Sequence, residues 1–190
     1  MGASVIPFCV YQGKVHFLFH KTFSGRRAGC LVDFGGGGET GESWQETAIR
    51  EFIEETETLF FSDDVTNAEL NEKSIQNQFP VLESLFEKSI DRYPDWWCTR
   101  GSNKKNGKNK DWRTFFIEFD FKDPLPMNRE WESDRGQRFK KRRELLWVPY
   151  DALLEIYNNT PEMLWKRLRY YKGVEEIVLS INQTMRDQAT

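Results

Sequence analysis

The sequence predicts an α/β protein in which helices pack on a β-sheet, and three observations support this fold class. Two apolar runs separated by a turn open the chain as a hairpin pattern. A capped, amphipathic helix follows a run of four glycines. A further β-rich stretch and additional helical patterns come after it. Strands on both sides of a helix, with more helices after them, are typical of a layered α/β sandwich.

The N-terminal hairpin is predicted from its apolar runs and its turn residues. Val5–Val10 forms a first strand, Gln12-Gly13 suits a turn and Val15–His20 forms a second strand. Cys30–Phe34 is a short apolar stretch that leads into Gly35–Gly38. Because glycine permits backbone conformations that other residues avoid, an unusual backbone path is expected there.

A helix is predicted at Ser43–Thr56. Ser43 and Glu46 match the S-x-x-E capping box, in which two side chains satisfy backbone N–H groups at the start of a helix. Apolar residues recur at four-residue spacing, which predicts a buried stripe. The members of this stripe are Trp44, Ala48, Ile49, Phe52 and Ile53.

The later part of the chain is predicted to contribute further strands and helices. The expected elements are a connector at Phe60–Pro80, a helix at Val81–Arg92, a polar loop at Gly101–Lys110, strands at Trp112–Phe121 and Leu145–Val148, and helices at Asp151–Tyr157 and Val174–Met185. Thr160-Pro161-Glu162 is typical of an N-cap followed by proline at the first helical position. Another helix is therefore expected from there to about Tyr171, ending at Gly173.

The bulk composition excludes several function classes. With 27 Lys and Arg residues against 30 Asp and Glu, the net charge of −3 does not suit a general binder of nucleic acid.

Three widely spaced cysteines form no CxxC pair, which argues against a zinc site or a disulfide framework. The odd cysteine count, with no signal peptide, favours a cytoplasmic location. No apolar run approaches the roughly 20 residues that span a bilayer. A length of 190 residues suits one domain over 1–190.

Three carboxylates are predicted to share one turn of the helix. Glu51, Glu54 and Glu55 stand at i, i+3 and i+4, which brings side chains onto one helical face. Their mutual repulsion costs stability unless positive charge lies among them. Arg50 offsets part of it through its i+4 partner Glu54, and a divalent cation would offset more. Ligands that are all oxygen favour Mg²⁺ or Mn²⁺ over zinc. The alternative interpretation is an ordinary glutamate-rich, solvated helix.

The segment from Gly36 to Thr58 resembles the Nudix box, a motif of glycine, five residues, Glu, seven residues and then Arg-Glu-hydrophobic-any-Glu-Glu-any-Gly-hydrophobic. The matching residues are Gly36, Glu42, Arg50, Glu51, Phe52, Glu54 and Glu55. The last two positions depart from the motif, since Glu57 replaces glycine and Thr58 replaces an apolar residue. These two positions shape the end of the helix, so they affect its geometry more than its chemistry. Trp147-Val148-Pro149 also fits a late strand of the family.

The resemblance implies a Nudix-type α/β/α sandwich with a mixed sheet and a C-terminal helical extension over about residues 160–190. It implies Mg²⁺ as cofactor, with Mn²⁺ as the alternative, bound by Glu51, Glu54, Glu55 and the carbonyl oxygen of Gly35. Glu54 or Glu55 would act as general base, although some family members place the base on a later loop. Arg50 would orient the glutamates rather than contact substrate.

Substrate-binding residues are predicted beside this helix. Arg26 and Arg27 precede the glycine run, and a guanidinium group matches phosphate oxygens bidentately, although a solvated loop would also explain them. Gly36 and Gly37 are further candidates for substrate contact. A later glutamate near the metal is common in the family, and Glu118 is one candidate for it.

The resulting functional hypothesis is a Nudix-type diphosphatase. Such an enzyme would cleave a phosphoanhydride bond in a nucleoside diphosphate linked to another moiety, so the expected partner is a small nucleotide-type molecule. The alternative is a Nudix-like module that senses a nucleotide without cutting it. The motif keeps all its charged positions, which favours the enzyme. Substrate identity stays open, as does the formation of a homodimer.

Overall fold

A mixed β-sheet forms the centre of the protein in a computed structural model that describes residues 1–100 and 111–189. Within those residues the strands are β1 (Gly2–Tyr11), β2 (Lys14–Thr22), β3 (Phe34–Gly37), β4 (Trp97–Thr99), β5 (Trp112–Glu118) and β6 (Arg143–Pro149). Their order is β4-β5-β1-β2-β6, and β3 pairs with β1. β1 and β5 run parallel, whereas the other pairs are antiparallel. The polar loop predicted at Gly101–Lys110 lies outside the described residues.

Helices cover both faces of this sheet. The described α-helices are α1 (Trp44–Glu55), α2 (Glu72–Arg92), α3 (Leu125–Ser133), α4 (Tyr150–Asn159) and α5 (Val174–Gln188). Buried residues of α1, α2 and α3 join one apolar core, and those of α4 and α5 join a second core. β1 serves both, since Val5 belongs to the first core and Ile6 to the second, as the two-residue period of a strand requires. The predicted α/β/α sandwich with a mixed sheet and an extra C-terminal helix is confirmed.

The local signals at the start of the chain are confirmed in detail. Tyr11 pairs with Lys14, and the two turn residues Gln12 and Gly13 both have positive φ, at 50° and 72°. That is the signature of a tight turn matched to the twist of its strands. The capping box is also complete, because the Ser43 and Glu46 side chains each accept a hydrogen bond from the other residue's backbone N–H.

Three elements after α1 were not predicted correctly. The second helix begins at Glu72 rather than Val81, because the Asn71 side chain caps it by accepting the Ser74 N–H at 2.9 Å. Pro80 therefore lies inside α2, where Ile75 on the preceding turns still packs against the first core. Strand β4 and helix α3 were not predicted at all.

The helix predicted from Thr160 to about Tyr171 is wrong. The segment instead contains two short 3-10 turns, Pro161–Met163 and Leu168–Tyr170, and the Thr160 side chain makes no capping hydrogen bond. The backbone between the turns pairs with Leu31, which donates to the Met163 carbonyl at 2.8 Å and accepts from the Trp165 N–H at 2.9 Å. These tertiary hydrogen bonds replace the intrahelical ones, so only the part of the extension after Gly173 is α-helical.

Candidate active site

Strand β3 brings the glycine run against both β1 and α1. Ser4 of β1 pairs with Gly35, and Ala3 pairs with Gly36. A Cβ on Gly35 would lie 2.2 Å from the Ser4 Cβ, and a Cβ on Gly36 would lie 2.2 Å from Glu51 Oε1. Only glycine fits at these two positions, because any side chain would displace either the sheet or the carboxylate. The sequence therefore places the first carboxylate of α1 directly on the strand backbone.

Glu51, Glu54 and Glu55 are here called the acidic face, and one arginine holds the first two of them. The Arg50 NH1 donates to Oε1 of both Glu51, at 3.3 Å, and Glu54, at 3.4 Å. The Arg50 Nε donates to Glu42 at 2.7 Å, and the NH2 donates to the Gly37 carbonyl at 2.9 Å. The hydrogen bond from Arg50 lowers the pKa of Glu42 to about 2. Arg50 thus fixes the helix to the glycine strand as well as the carboxylates to one another.

The two inner carboxyl groups have opposite electrostatic environments. Burial, followed by repulsion from Glu55, raises the pKa of Glu51 to about 7. Burial would also raise the pKa of Glu55, but His20, Arg143 and Arg167 lower it to about 2. Glu55 accepts the Gly35 N–H at 2.8 Å and lies 3.6 Å from His20 Nε2 and 3.5 Å from Arg143 NH1. The protein's own cations therefore favour the charged form of Glu55, whereas the charged form of Glu51 is disfavoured despite its contact with Arg50.

Basic side chains line a cavity of about 530 Å³ together with Glu51 and Glu55 of the acidic face. Those that line it are Arg26, Arg27, Lys141, Arg143 and Lys166, here called the basic wall. They come from the turn after β2, from the entrance to β6 and from the C-terminal segment. A second cavity, of about 700 Å³, shares Arg27, Gly36, Trp165 and Lys166 with the first, so the two cavities adjoin. The Trp165 ring, with the Arg27 guanidinium 5.5 Å from its centre, lies at their junction.

A buried ion pair ties the C-terminal segment to the glycine strand. Arg167 donates through NH2 and Nε to Asp33 Oδ1, at 2.7 and 3.0 Å, and both residues are buried. The Tyr171 hydroxyl donates to the other oxygen of Asp33. Arg167 NH1 also donates to the Gly35 carbonyl at 3.0 Å. The carbonyl predicted as a metal ligand therefore already accepts a hydrogen bond from a cation.

Helix α1 ends with the geometry that the family motif assigns to glycine, although a glutamate occupies the position. Glu57 has φ of +50°, its N–H bonds to the Glu54 carbonyl, and the Thr58 N–H bonds to the Ile53 carbonyl. This pair of hydrogen bonds is the Schellman motif, whose left-handed residue is usually glycine. A left-handed conformation costs a residue with a Cβ about 1–2 kcal/mol. Glu57 is 2% exposed, and its Oε2 accepts the Lys140 N–H at 3.4 Å.

The structure brings most of the predicted site residues together. Arg26, Arg27, Gly35, Gly36, Glu51 and Glu55 line the smaller cavity, Gly37 lines the larger one, and Glu54 joins the cluster through Arg50. Glu118 does not join them, since it pairs with Arg92 at 3.4 Å beside a different cavity. The roles assigned to these residues stay predictions.

Sequence reasoning missed His20, Arg143 and the C-terminal contributors to the site. Strand alternation could have found the first two, because His20 lies two residues after buried Leu18 and Arg143 lies two residues before buried Leu145. Leu18 and Leu145 both belong to the core under α1, so His20 and Arg143 point to the same face. No comparable signal marks Lys166 or Arg167, because they lie in an irregular segment.

The oxygen donors of the acidic face fit a hard divalent cation. Glu51 is buried beside Glu55 with only Arg50 as a cationic partner among described side chains, and such a group gains stability from added positive charge. Among residues 1–100 and 111–189, no three or more His, Cys, Asp or Glu side chains are already arranged as a metal site. Cation binding at Glu51 and Glu54 would therefore require their carboxyl groups to turn toward a shared ion.

Comparisons with known proteins identify the fold. The C. elegans Ap4A hydrolase in a binary complex is similar over 97% of this chain and 98% of its own, with a TM-score of 0.50 and 12% identity. A Nudix hydrolase from M. smegmatis is similar over 95% of this chain and 87% of its own, with a TM-score of 0.46 and 13% identity. No protein-family model and no curated protein sequence matches the chain. The chain has the Nudix fold, and at this identity the likeness shows the fold alone.

In the part of the chain that the structure describes, no helix is both long and apolar enough to cross a bilayer.

Proposed function

We propose that the protein is a divalent-metal-dependent hydrolase that cleaves a phosphoanhydride bond in a nucleoside diphosphate linked to another moiety. One observation carries the proposal: Glu51 and Glu55 of the acidic face line the same cavity as the basic wall. Carboxylate oxygens suit Mg²⁺, and guanidinium and ammonium groups suit phosphate oxygens. A diphosphate with its cation is a ligand that satisfies both sides at once.

Glu51 and Glu54, with Glu55 beside them, are the residues that would hold the cation, Mg²⁺ or alternatively Mn²⁺. When bound, such an ion neutralises phosphate charge and makes a water molecule more acidic. The Gly35 carbonyl would contribute less to cation binding than the sequence predicts, because Arg167 already donates a hydrogen bond to it.

The protein's own groups would position the reactants. Arg50 restrains Glu51 and Glu54, and the basic wall binds phosphate oxygens of the substrate. Glu54 fits the general-base role better than Glu55, because it is 39% exposed and Arg50 is its only ion-pair partner among the described side chains. Glu55, in contrast, is already bonded to the Gly35 N–H. The Trp165 ring offers a flat surface on which a base could stack.

A substrate panel tests the proposed function directly. Nucleoside triphosphates, dinucleoside polyphosphates and nucleotide sugars would be incubated with Mg²⁺ and then with EDTA, and released phosphate or nucleoside monophosphate measured. We expect turnover of at least one compound with Mg²⁺ and none with EDTA. Glu54→Gln should remove this turnover while the circular dichroism spectrum stays that of the wild type. Full activity in Glu54→Gln would exclude Glu54 as the base.

A non-hydrolytic nucleotide sensor is the second candidate, and one contact favours it. The Arg167 guanidinium brings positive charge to the Gly35 carbonyl, which disfavours a cation at that oxygen. A sensor would bind a nucleotide, measured by calorimetry, and release no product from any compound of the panel. Binding together with turnover excludes it.

A further inference from the structure

Arg143 is a buried cation whose hydrogen-bonding capacity is not used by the described protein. The residue is 9% exposed, and its Nε and NH1 have no hydrogen-bond partner among the described residues. The nearest carboxylate oxygen, Oε1 of Glu55, is 3.5 Å from NH1, outside good hydrogen-bonding geometry. Burying N–H donors without acceptors is unfavourable. Because Arg143 lines the cavity, an acceptor inside the cavity would relieve this cost.

The charge around the cavity indicates which acceptor fits. Arg143 lies in the basic wall, whose five cations exceed the two carboxylates, Glu51 and Glu55, that line the same space. Glu55 also accepts a hydrogen bond from the Gly35 N–H, so it cannot accept hydrogen bonds from all five cations. A ligand with several anionic oxygens is required, and the planar donors of arginine match two oxygens of one phosphate.

Glu57 connects the end of α1 with the chain segment that carries Arg143. Its buried carboxylate accepts the Lys140 N–H, three residues before Arg143, from a backbone with φ of +50°. Glycine would adopt that conformation without strain but could not make this contact. Strain that persists at one position points to a function there. The contact restrains the entrance to β6, where Lys141 and Arg143 both turn into the cavity.

We propose that Arg143 binds a phosphate group in this cavity and that Glu57 is the residue that positions it. The inference rests on the proposed function in one respect, namely that a diphosphate enters the cavity. Glu57 acts through the backbone of Lys140 and does not contact the ligand. Replacement of the motif glycine by glutamate is then a feature of substrate binding in this chain.

Calorimetric titration with methylenediphosphonate in the presence of Mg²⁺ tests the proposal. This probe cannot be hydrolysed at its P–C–P bridge, so the measurement does not depend on catalysis. We expect Arg143→Met to weaken binding about tenfold or more, because a charge-assisted, two-point contact is lost. Arg143→Lys keeps the charge without the planar donors and should bind between the two. Arg138→Lys, in an arginine that contacts Glu130 outside the cavity, is the matched control and should bind like the wild type.

Two variants of Glu57 distinguish a role in positioning Arg143 from the effect of the strained backbone at residue 57. Glu57→Gly removes the strain and the carboxylate, so thermal stability should be retained or raised while binding weakens about threefold or more. Glu57→Gln keeps the side-chain shape and an acceptor oxygen, so it should bind more tightly than Glu57→Gly. Wild-type binding in Glu57→Gly would overturn the positioning role.

The remaining outcomes bear on Arg143 and on the proposed function separately. Wild-type affinity in both Arg143 variants, or a wild-type protein that binds no methylenediphosphonate, would overturn the phosphate-binding role. If the probe binds through Arg143 but no substrate is turned over, the inference stands and the hydrolase proposal fails.

Discussion

The two sides of the cavity are held in place by different kinds of interaction. The acidic face lies within two turns of α1, and its Glu51 and Glu54 are fixed by Arg50, whose partners are all within 13 residues of it in the chain. The basic wall is assembled from segments more than 100 residues apart and depends on the Asp33–Arg167 pair and on strand β6. The acidic side is therefore organised by helix geometry, whereas the basic side exists only when the whole sheet has formed.

The largest effect is expected from breaking the buried pair on the C-terminal side. Arg167→Met leaves Asp33, which is 0% exposed, without its cation, and removal of one partner of a buried pair costs about 3–5 kcal/mol. The free energy of unfolding in urea should fall by that order. Arg167→Met combined with Asp33→Asn should recover part of it, because the unpaired charge is then gone. A loss below 1 kcal/mol in Arg167→Met would show that the segment is held by other contacts.

This difference in organisation also explains what the sequence could predict. The acidic face follows from i, i+3 and i+4 spacing, and the helix that carries it follows from Ser43, Glu46 and the apolar stripe, all of which are local patterns. The hairpin and the sandwich were predictable for the same reason. Arg167 and Lys166 carry no such pattern, because their segment bonds to Leu31 rather than to itself. The strain at Glu57 was recognisable only as a departure from a motif.

The second-largest effect is expected on turnover, from a variant that displaces Glu51 on the acidic face. In Gly36→Ala the new Cβ would meet Glu51 Oε1 at 2.2 Å, so the carboxylate must shift by an ångström or so. Misplacement on that scale lowers turnover about 100-fold. The measurement is kcat on the best compound of the panel, with thermal unfolding beside it.

Gly37→Ala is the comparison variant for that experiment. A Cβ there would meet no atom within 4 Å, so the loss should be far smaller than in Gly36→Ala. Equal losses in the two variants would mean that the glycines serve the backbone rather than the position of Glu51.

A smaller effect is expected at the junction of the two cavities. Trp165→Ala removes an aromatic surface that both cavities share. Stacking of a base on an aromatic ring is worth about 1–3 kcal/mol, so KM for a nucleotide substrate should rise roughly tenfold with kcat little changed. Trp165→Phe should restore most of the affinity. The same KM in Trp165→Ala and the wild type would place the base elsewhere in the two cavities.

The smallest effect contrasts two positions that the sequence predicts as helix caps. Ser43 caps α1, and its side chain accepts the Glu46 N–H at 3.2 Å, whereas Thr160 makes no side-chain capping bond. Ser43→Ala should therefore cost about 1 kcal/mol of unfolding free energy. Thr160→Ala should cost a few tenths of a kcal/mol or less, because the Thr160 side chain makes no capping hydrogen bond. Equal losses in the urea midpoints of the two variants would show that the Ser43 side chain does not stabilise α1 as a cap.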